Sequence, residues 1–322
     1  MSDIRWKSIT AVVTNPFAAD QLAARKAALV AARCGARLTL FNTFMLPQPT
    51  PESLVATPEQ NLEAAIRQRK ARLEKLASSL RKRGIVVKCE VVWDYPVHEA
   101  IIRHVLRTKP DLLVVESHRH IRLARWVLAN TDWELIRGCP CALWFVRSAR
   151  LPRSARILVA VDPRHTHAKP ARLDERLLAA ASSLVRQIGG KVGIAHVLEP
   201  PAGGGFGISM QRNRLSVSLE RYREFEAEIA RSIGALAARR HIAPADCHVL
   251  SGDVSDVLAG FVKRQEIDVL VMGAVSRSQL QRPVIGNTAE RVIDRVDCDV
   301  FIVKPAGFRT PVPRARARLR RV

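Results

Sequence analysis

The feature that most constrains this chain is an internal repeat that carries apolar segments and several polar residues in one register. The segment 111–115, Asp-Leu-Leu-Val-Val, recurs as Asp-Val-Leu-Val-Met at 268–272, an offset of 157 positions, the difference between 268 and 111. The same offset aligns three further pairs: Asn130 with Asn287, Ile136 with Ile293, and Cys141 with Cys298. Matches in register over such a span indicate a duplicated structural unit.

Each copy alternates short apolar runs with longer amphipathic segments, which is the pattern of β-strands alternating with α-helices. We predict strands at 8–13, 37–44, 86–93, 111–115 and 142–146 in the first copy, and at 157–161, 191–197, 245–250, 268–273 and 299–303 in the second. We predict helices at 18–34, 59–83, 97–108 and 128–137, then at 173–187, 215–238, 254–265 and 288–295. This alternation is typical of an α/β fold with a parallel sheet covered by helices on both faces.

Length and repeat together predict three segments. The chain has 322 residues, which is enough for two domains of ordinary size. A connector rich in proline, arginine and serine separates the copies, so we predict domains at 1–150 and 151–307. The remaining segment, 308–322, has six arginines and no acidic residue, a composition typical of a disordered basic tail.

The formal net charge of +22 is spread over both halves, as on a generally basic surface. It allows one alternative function, binding to nucleic acid or another anionic surface through the basic tail.

No apolar run reaches the roughly 18 residues of a membrane-spanning helix, and the first residues lack a basic region followed by an apolar one. We therefore expect a cytoplasmic protein without membrane insertion. The six cysteines include no C-x-x-C pair, and the His-x-His pairs at 118–120 and 165–167 fall on predicted loops, so no metal site is predicted. We expect the close pair in Cys139-Pro140-Cys141 to be buried packing residues, with metal or redox use as the less favoured alternative, because no second pair completes a tetrahedral site.

Candidate binding residues follow the first and fourth strands of the second copy, because ligands of open parallel sheets bind beyond the carboxyl ends of the strands. Asp162 follows the first strand and could accept hydrogen bonds from a ribose or an adenine amino group, although aspartate before proline is also a common turn residue. Met272-Gly273 ends the fourth strand, and Gly286-Asn287-Thr288 begins the next helix. Glycine backbone and a helix N-terminus favour phosphate binding, but the same residues also make an ordinary turn and N-cap.

These features resemble the universal stress proteins, and among them the tandem, E-type members. The resemblance rests on the strand order, the strand-one aspartate, and a strand-four loop of glycine, two residues, glycine, nine residues, glycine and then serine or threonine. Thr131-Asp132-Trp133 and Gly286-Asn287-Thr288-Ala289-Glu290 are further similar strings. The similarity covers about residues 5–307.

The resemblance implies two tandem domains of the adenine-nucleotide alpha-hydrolase-like fold, each a five-stranded parallel sheet in the order 3-2-1-4-5 with helices on both faces. It also implies that the fifth strands, 142–146 and 299–303, pair within the chain, so that the two halves form an intramolecular pseudo-dimer. Association into a further homodimer stays open.

Carried over residue by residue, the family's nucleotide site, with ATP or AMP as the implied ligand, falls on Asp162, Val197, Met272, Gly273, Ser276, Gly286, Asn287 and Thr288. Two positions depart from the pattern. Ser276 stands where the second glycine is expected, and Asn287 stands where serine or threonine usually follows the third. A side chain at 276 restricts close approach of the backbone to a phosphate, so the loop is only partly retained.

The first half departs further from the pattern. Asn15 takes the place of the strand-one aspartate, Glu116 that of Gly273, and Ala129 that of Gly286. Because a carboxylate repels a triphosphate, we expect no nucleotide there. Four tryptophans concentrate in this half, at 93, 126, 133 and 144. Core packing is the favoured interpretation, and an apolar ligand pocket is the alternative.

Neither a Walker lysine nor a nucleophile elbow occurs in the sequence, so we do not expect a dedicated enzyme. We expect a bacterial stress-response protein that binds or senses a small ligand, with an adenine nucleotide in the second half as the specific hypothesis. The alternatives are a protein that binds nucleic acid or an anionic surface, slow ATP hydrolysis in the second half, and an apolar-ligand binder in the first half.

Overall fold

A computed structural model describes residues 6–45, 57–117, 130–163, 172–199, 212–274 and 287–314. These residues form two compact units. The first unit consists of the described residues of Met1–Leu151 and Asp299–Val322, and the second consists of those of Pro152–Cys298. The last strand of the second repeat therefore belongs to the unit that contains the first repeat.

The described elements follow the predicted alternation, with ends shifted by a few residues. The strands are β1 Ser8–Val12, β2 Arg37–Phe44, β3 Val87–Trp93, β4 Leu112–Glu116, β5 Ala142–Val146, β6 Ala155–Ala160, β7 Gly190–Leu198, β8 Cys247–Ser251, β9 Val269–Gly273 and β10 Asp299–Val303. The helices are α1 Leu22–Cys34, α2 Pro58–Arg81, α3 Val97–Thr108, α4 Asn130–Gly138, α5 Leu173–Ile188, α6 Arg212–Ala238, α7 Val254–Arg264 and α8 Asn287–Arg295.

The sheet of the first unit has the order β3-β2-β1-β4-β5-β10, so the predicted order 3-2-1-4-5 is confirmed for the first repeat. All neighbours from β3 to β5 are parallel. The residues of β1, β4 and β5 are almost entirely buried, as in sheets covered on both faces, whereas the edge strand β3 is mostly half-buried or exposed. From β1 the chain continues to β2 on one side of the sheet, and from β4 it continues to β5 on the other side. The strand order therefore reverses between β1 and β4, which is a topological switch point.

In the second unit the strand order is β8-β7-β6-β9, and all pairs are parallel. The fifth strand of this repeat, β10, pairs antiparallel with β5 in the first unit, with Phe301 opposite Trp144. The predicted pairing of 142–146 with 299–303 is thus present.

A buried ion pair fixes the start of β10 in the first unit. Lys26 Nζ lies 2.9 Å from Asp299 Oδ2, and both side chains are only 3% exposed. The same carboxylate accepts hydrogen bonds from Trp144 Nε1 at 3.0 Å and from the Arg147 backbone N–H at 2.9 Å. Because a buried carboxylate is costly without partners, these contacts specify where Asp299 lies.

The chain after β10 also contacts the first unit. The Phe308 ring lies 4.4 Å from Lys304 Nζ. The Thr310 and Val312 side chains come within 4 Å of where a Cβ of Gly138 would stand. The segment predicted as a disordered tail therefore begins with residues that have defined contacts, and residues 315–322 lie outside the described part of the chain. Among the described helices, none is long and apolar enough to cross a membrane.

Candidate functional site

Asp162 lies where the sequence analysis places it, directly after the last residues of β6. Strand β6 stands between β9 and β7, so its carboxyl end borders the switch point of the second repeat. Asp162 is only 5% exposed, although it follows the strand in a turn. A solvated turn aspartate has no reason to be buried, so its position is that of a carboxylate set into a crevice.

A second buried carboxylate supports the end of β6. Asp174, in the first turn of α5, accepts hydrogen bonds from the Asp162 backbone N–H at 3.3 Å and 3.2 Å. It is 4% exposed. Two aspartates from segments separated by a loop therefore meet at the same crevice, and both present hydrogen-bond acceptors.

The glycine that ends β9 has a packing partner. A Cβ on Gly273 would stand 2.8 Å from Leu173 Cδ2, a distance that side chains do not tolerate without movement. Leu173 is itself almost fully buried. The absence of a side chain at 273 thus lets α5 approach the strand end, and this contact explains the glycine independently of any phosphate.

The other predicted residues divide between described and undescribed parts of the chain. Met272 is buried in β9, and Val197 is half-buried near the end of β7. Ser276 and Gly286 lie outside the described residues. Asn287 and Thr288 begin α8 as predicted, but their side chains are not among those described. The structure therefore brings the strand ends together, while the loop remains a prediction.

Strand register corrects the predicted correspondence between the repeats. The Val13 N–H donates to Phe41 O at 2.8 Å, and the Val161 N–H donates to Ala195 O at 2.9 Å. Val13 and Val161 are thus equivalent, so Thr14, not Asn15, stands in the place of Asp162. Asn15 comes one position later, and its Oδ1 accepts a hydrogen bond from the Phe17 N–H.

Both repeats retain the same support beneath this position. Asn42 Nδ2 donates to Val13 O at 2.6 Å, and in the second repeat His196 Nδ1 lies 2.8 Å from Val161 O. A buried polar side chain on the second strand therefore binds the last carbonyl of the first strand in each copy. What differs is the next residue, which is exposed Thr14 in one copy and buried Asp162 in the other.

With this geometry established, the family follows from comparison with known proteins. The model of the universal stress protein family matches residues 6–147 and, a second time, residues 154–304. The chain belongs to the universal stress protein family. The predicted resemblance and the α/β fold class are confirmed.

Relatives of this universal stress protein share its whole length. It is 27% identical to universal stress protein E of Escherichia coli over 94% of this chain and 95% of that protein. It is 26% identical to universal stress protein E of Photorhabdus laumondii, over 95% and 97% of the two chains.

Two solved structures are similar in fold. One is a Pseudomonas aeruginosa protein, with a TM-score of 0.69, 23% identity and 94% coverage of both chains. The other is a universal stress protein from Archaeoglobus fulgidus, with a TM-score of 0.61, 14% identity and coverage of 94% and 97%.

The first repeat of this universal stress protein ends its fourth strand with different groups. Glu116 is half-buried, and Ser117 Oγ donates to Asp132 Oδ2 at 2.9 Å. The strand end is thus connected to α4 through an acidic side chain. Two carboxylates, those of Glu116 and Asp132, thus lie at this end of the first repeat.

Two of the four tryptophans of the first half, Trp93 and Trp144, lie far apart in the fold. Trp144 is fully buried in β5, whereas Trp93 is 40% exposed at the end of β3. Three strands separate β3 from β5, which at about 4.8 Å per strand places them roughly 19 Å apart. Trp126 lies outside the described residues. These two side chains cannot line one apolar pocket, and the burial of Trp144 agrees with core packing, the favoured interpretation.

Asp174 and Leu173 are the site residues that sequence reasoning missed. Both lie at the predicted start of α5, where an acidic first turn is an ordinary helix feature. Only the tertiary structure shows that this turn meets the ends of β6 and β9.

Proposed function

We propose that this universal stress protein is a cytoplasmic stress-response protein that binds an adenine nucleotide at the carboxyl ends of β6, β7 and β9, and acts through binding rather than as a dedicated enzyme. The single observation that carries the proposal is the buried carboxylate of Asp162 at the switch point of the second repeat. Carboxylate oxygens only accept hydrogen bonds, so this group suits the hydroxyls of a ribose or the amino group of an adenine.

The charge distribution supports one orientation of the ligand. Asp162 and Asp174 place two acidic groups beside β6, which disfavours phosphates at that point. On the other side of β6 stands β9, and the helix that follows β9 along the chain, α8, begins at Asn287. Helix N-termini favour negative charge, so the nucleoside belongs beside Asp162 and the phosphates toward α8.

Equilibrium binding of ATP and AMP to the full chain tests this function. We expect saturable binding to the wild-type protein and at least about tenfold weaker binding to Asp162→Ala, since the lost acceptor leaves ligand donors unpaired. Thr14→Ala is the matched control, because it removes the side chain at the equivalent position of the first repeat.

Thermal unfolding of both variants accompanies the binding measurement, so that loss of affinity is separated from loss of fold. Equal affinities of wild type and Asp162→Ala, with both proteins folded, would contradict the proposed site. Binding that Thr14→Ala weakens equally would place the nucleotide elsewhere.

A further inference from the structure

A pair of thiols lies in the turn between α4 and β5, in the sequence Cys139-Pro140-Cys141. The two Sγ atoms are 3.6 Å apart and within hydrogen-bonding distance. Cys139 is fully buried, whereas Cys141 is partly exposed. Packing is the favoured prediction for this pair and redox use the alternative, and two thiols in contact have a chemistry that separate cysteines lack.

A buried lysine stands beside this thiol pair. In the antiparallel register of β5 and β10, Ile302 lies opposite Leu143, and the same register continued places Lys304 opposite Cys141. Opposite residues of antiparallel strands carry side chains on the same face. Lys304 is only 4% exposed, donates to the Ile136 carbonyl, and lies over the Phe308 ring.

These neighbours shift the pKa values of the two thiols in opposite directions. Burial acts to raise the pKa of Cys139, but hydrogen bonds from the thiol and backbone N–H of Cys141, together with the charge of Lys304, lower it below its usual value. The hydrogen bond with Cys139 and then burial raise the pKa of Cys141. Burial lowers the pKa of Lys304 to about 8, against the effect of the two sulfurs. Two contacting thiols, with the pKa of Cys139 lowered and that of Cys141 raised, match the arrangement of a nucleophile with a resolving partner.

We propose that Cys139 and Cys141 are a redox-active dithiol that reduces a small hydroperoxide and closes to a disulfide across Pro140. The Cys139 thiolate donates an electron pair to one peroxide oxygen, the O–O bond breaks, and the leaving hydroxide takes a proton to become water. The Cys141 sulfur then attacks the sulfenic acid on Cys139. The S–O bond breaks, and the departing hydroxide takes the Cys141 proton. Two thiols are oxidised by two electrons, and hydrogen peroxide is reduced to two waters.

The turn favours a reversible reaction. A disulfide requires the sulfurs to approach from 3.6 Å to about 2.05 Å, a short movement for side chains already in contact. Cysteines separated by one residue close a small, strained ring, and strained disulfides are readily reduced. This inference rests on residues of the first unit and is independent of the proposed nucleotide site.

Thiol trapping on the full-length reduced protein tests the proposal. After treatment with stoichiometric hydrogen peroxide, the protein is unfolded in excess N-ethylmaleimide, and the labelled cysteines are located by peptide mass spectrometry. We expect Cys139 and Cys141 to lose their label together and to recover it after reduction. Cys89 serves as an internal control, because burial raises its pKa to about 12 and makes it a poor nucleophile.

Three variants separate the roles within the pair. Cys141→Ser should stop the reaction at a sulfenic acid on Cys139 that dimedone traps, and Lys304→Gln should slow oxidation by about tenfold. Cys298→Ser, which changes the buried cysteine equivalent to Cys141 in the second repeat, is the matched control and should behave as wild type. Circular dichroism confirms that each variant is folded. The proposal is overturned if Cys139 and Cys141 react no faster than Cys89, or if they oxidise to sulfinic acid without forming a disulfide.

Discussion

In both repeats the second and third strands pair in the same register, but the side chains at equivalent positions of the third strand differ in their chemistry. In the first repeat Glu90 stands next to Phe41, and in the second His248 stands next to Ala195, at equivalent points of the register. Glu90 lies 3.3 Å from Nδ1 of buried His104 and forms an ion pair with Arg107. The equivalent pair in the second repeat is aromatic, with the rings of His248 and Phe261 4.7 Å apart.

The strand-one ends differ in the same way, since exposed Thr14 replaces buried Asp162. This difference shows that the two repeats keep the same backbone hydrogen bonds between strands, while the side chains at individual positions differ. Positions that hold charge in one copy are apolar or neutral in the other. Each repeat should therefore respond differently to the loss of its own polar contacts.

The largest expected effect concerns the fifth strands, which begin with Ala142 in the first repeat and with Asp299 in the second. Asp299→Ala leaves the buried Lys26 ammonium without its carboxylate. We expect a loss of about 3–5 kcal/mol in the free energy of unfolding, measured by chemical denaturation. The double variant Lys26→Met, Asp299→Ala should recover part of this loss, because no charge stays buried. If Asp299→Ala unfolded at the same denaturant concentration as wild type, the anchoring of β10 would need another cause.

Acid should weaken the first repeat through Glu90. Hydrogen bonds and charge from His104 and Arg107, acting against burial, lower the pKa of Glu90 from 4.5 to about 2. Because the folded-state pKa lies below the unfolded value, this stabilisation is present above pH 4.5 and is lost as the pH falls toward 2. Over that range we expect a decrease of about 2–3 kcal/mol in the free energy of unfolding, and Glu90→Gln should remove this slope.

Tryptophan fluorescence follows this transition in the first repeat, because all five tryptophans of the chain occur before residue 150. Glu266→Gln, which changes an 80% exposed carboxylate in the second repeat, is the control and should leave the slope unchanged. An acid transition identical in Glu90→Gln and wild type would show that other groups dominate.

The smallest expected effect concerns Gly273, whose equivalent in the first repeat is Glu116. Gly273→Ala should cost about 1–2 kcal/mol in the free energy of unfolding, because the new Cβ displaces Leu173 from the ends of β6 and β9. Gly234→Ala, in an open position of α6, is the matched control and should be neutral or slightly stabilising. If Gly273→Ala left the free energy of unfolding unchanged, packing against Leu173 would not explain this glycine. A role in the close approach of a ligand to the backbone would then be favoured.

Much of the fold could be predicted because hydrophobic periodicity is a local property. The bounds of β2, α3, β5 and β10 agree with prediction to the residue, and Gly35 ends α1 in the left-handed conformation expected of a helix C-cap. The candidate site could be predicted only in part. Asp162 lies where predicted, but the equivalence of Asn15 was wrong, because the hydrogen-bond register between the first and second strands, which the sequence does not show, decides which residues at the strand ends correspond.

The sequence by itself determined the duplication, the α/β alternation and the acidic residue at the end of the sixth strand, since each depends on residues near one another in the chain. Only the tertiary structure decided which distant groups meet. It brought Lys26 to Asp299, Leu173 to Gly273, and Lys304 to the strand that carries Cys141. Such contacts depend on strand order and register, and no local pattern of side chains encodes the partner of a buried charge or thiol.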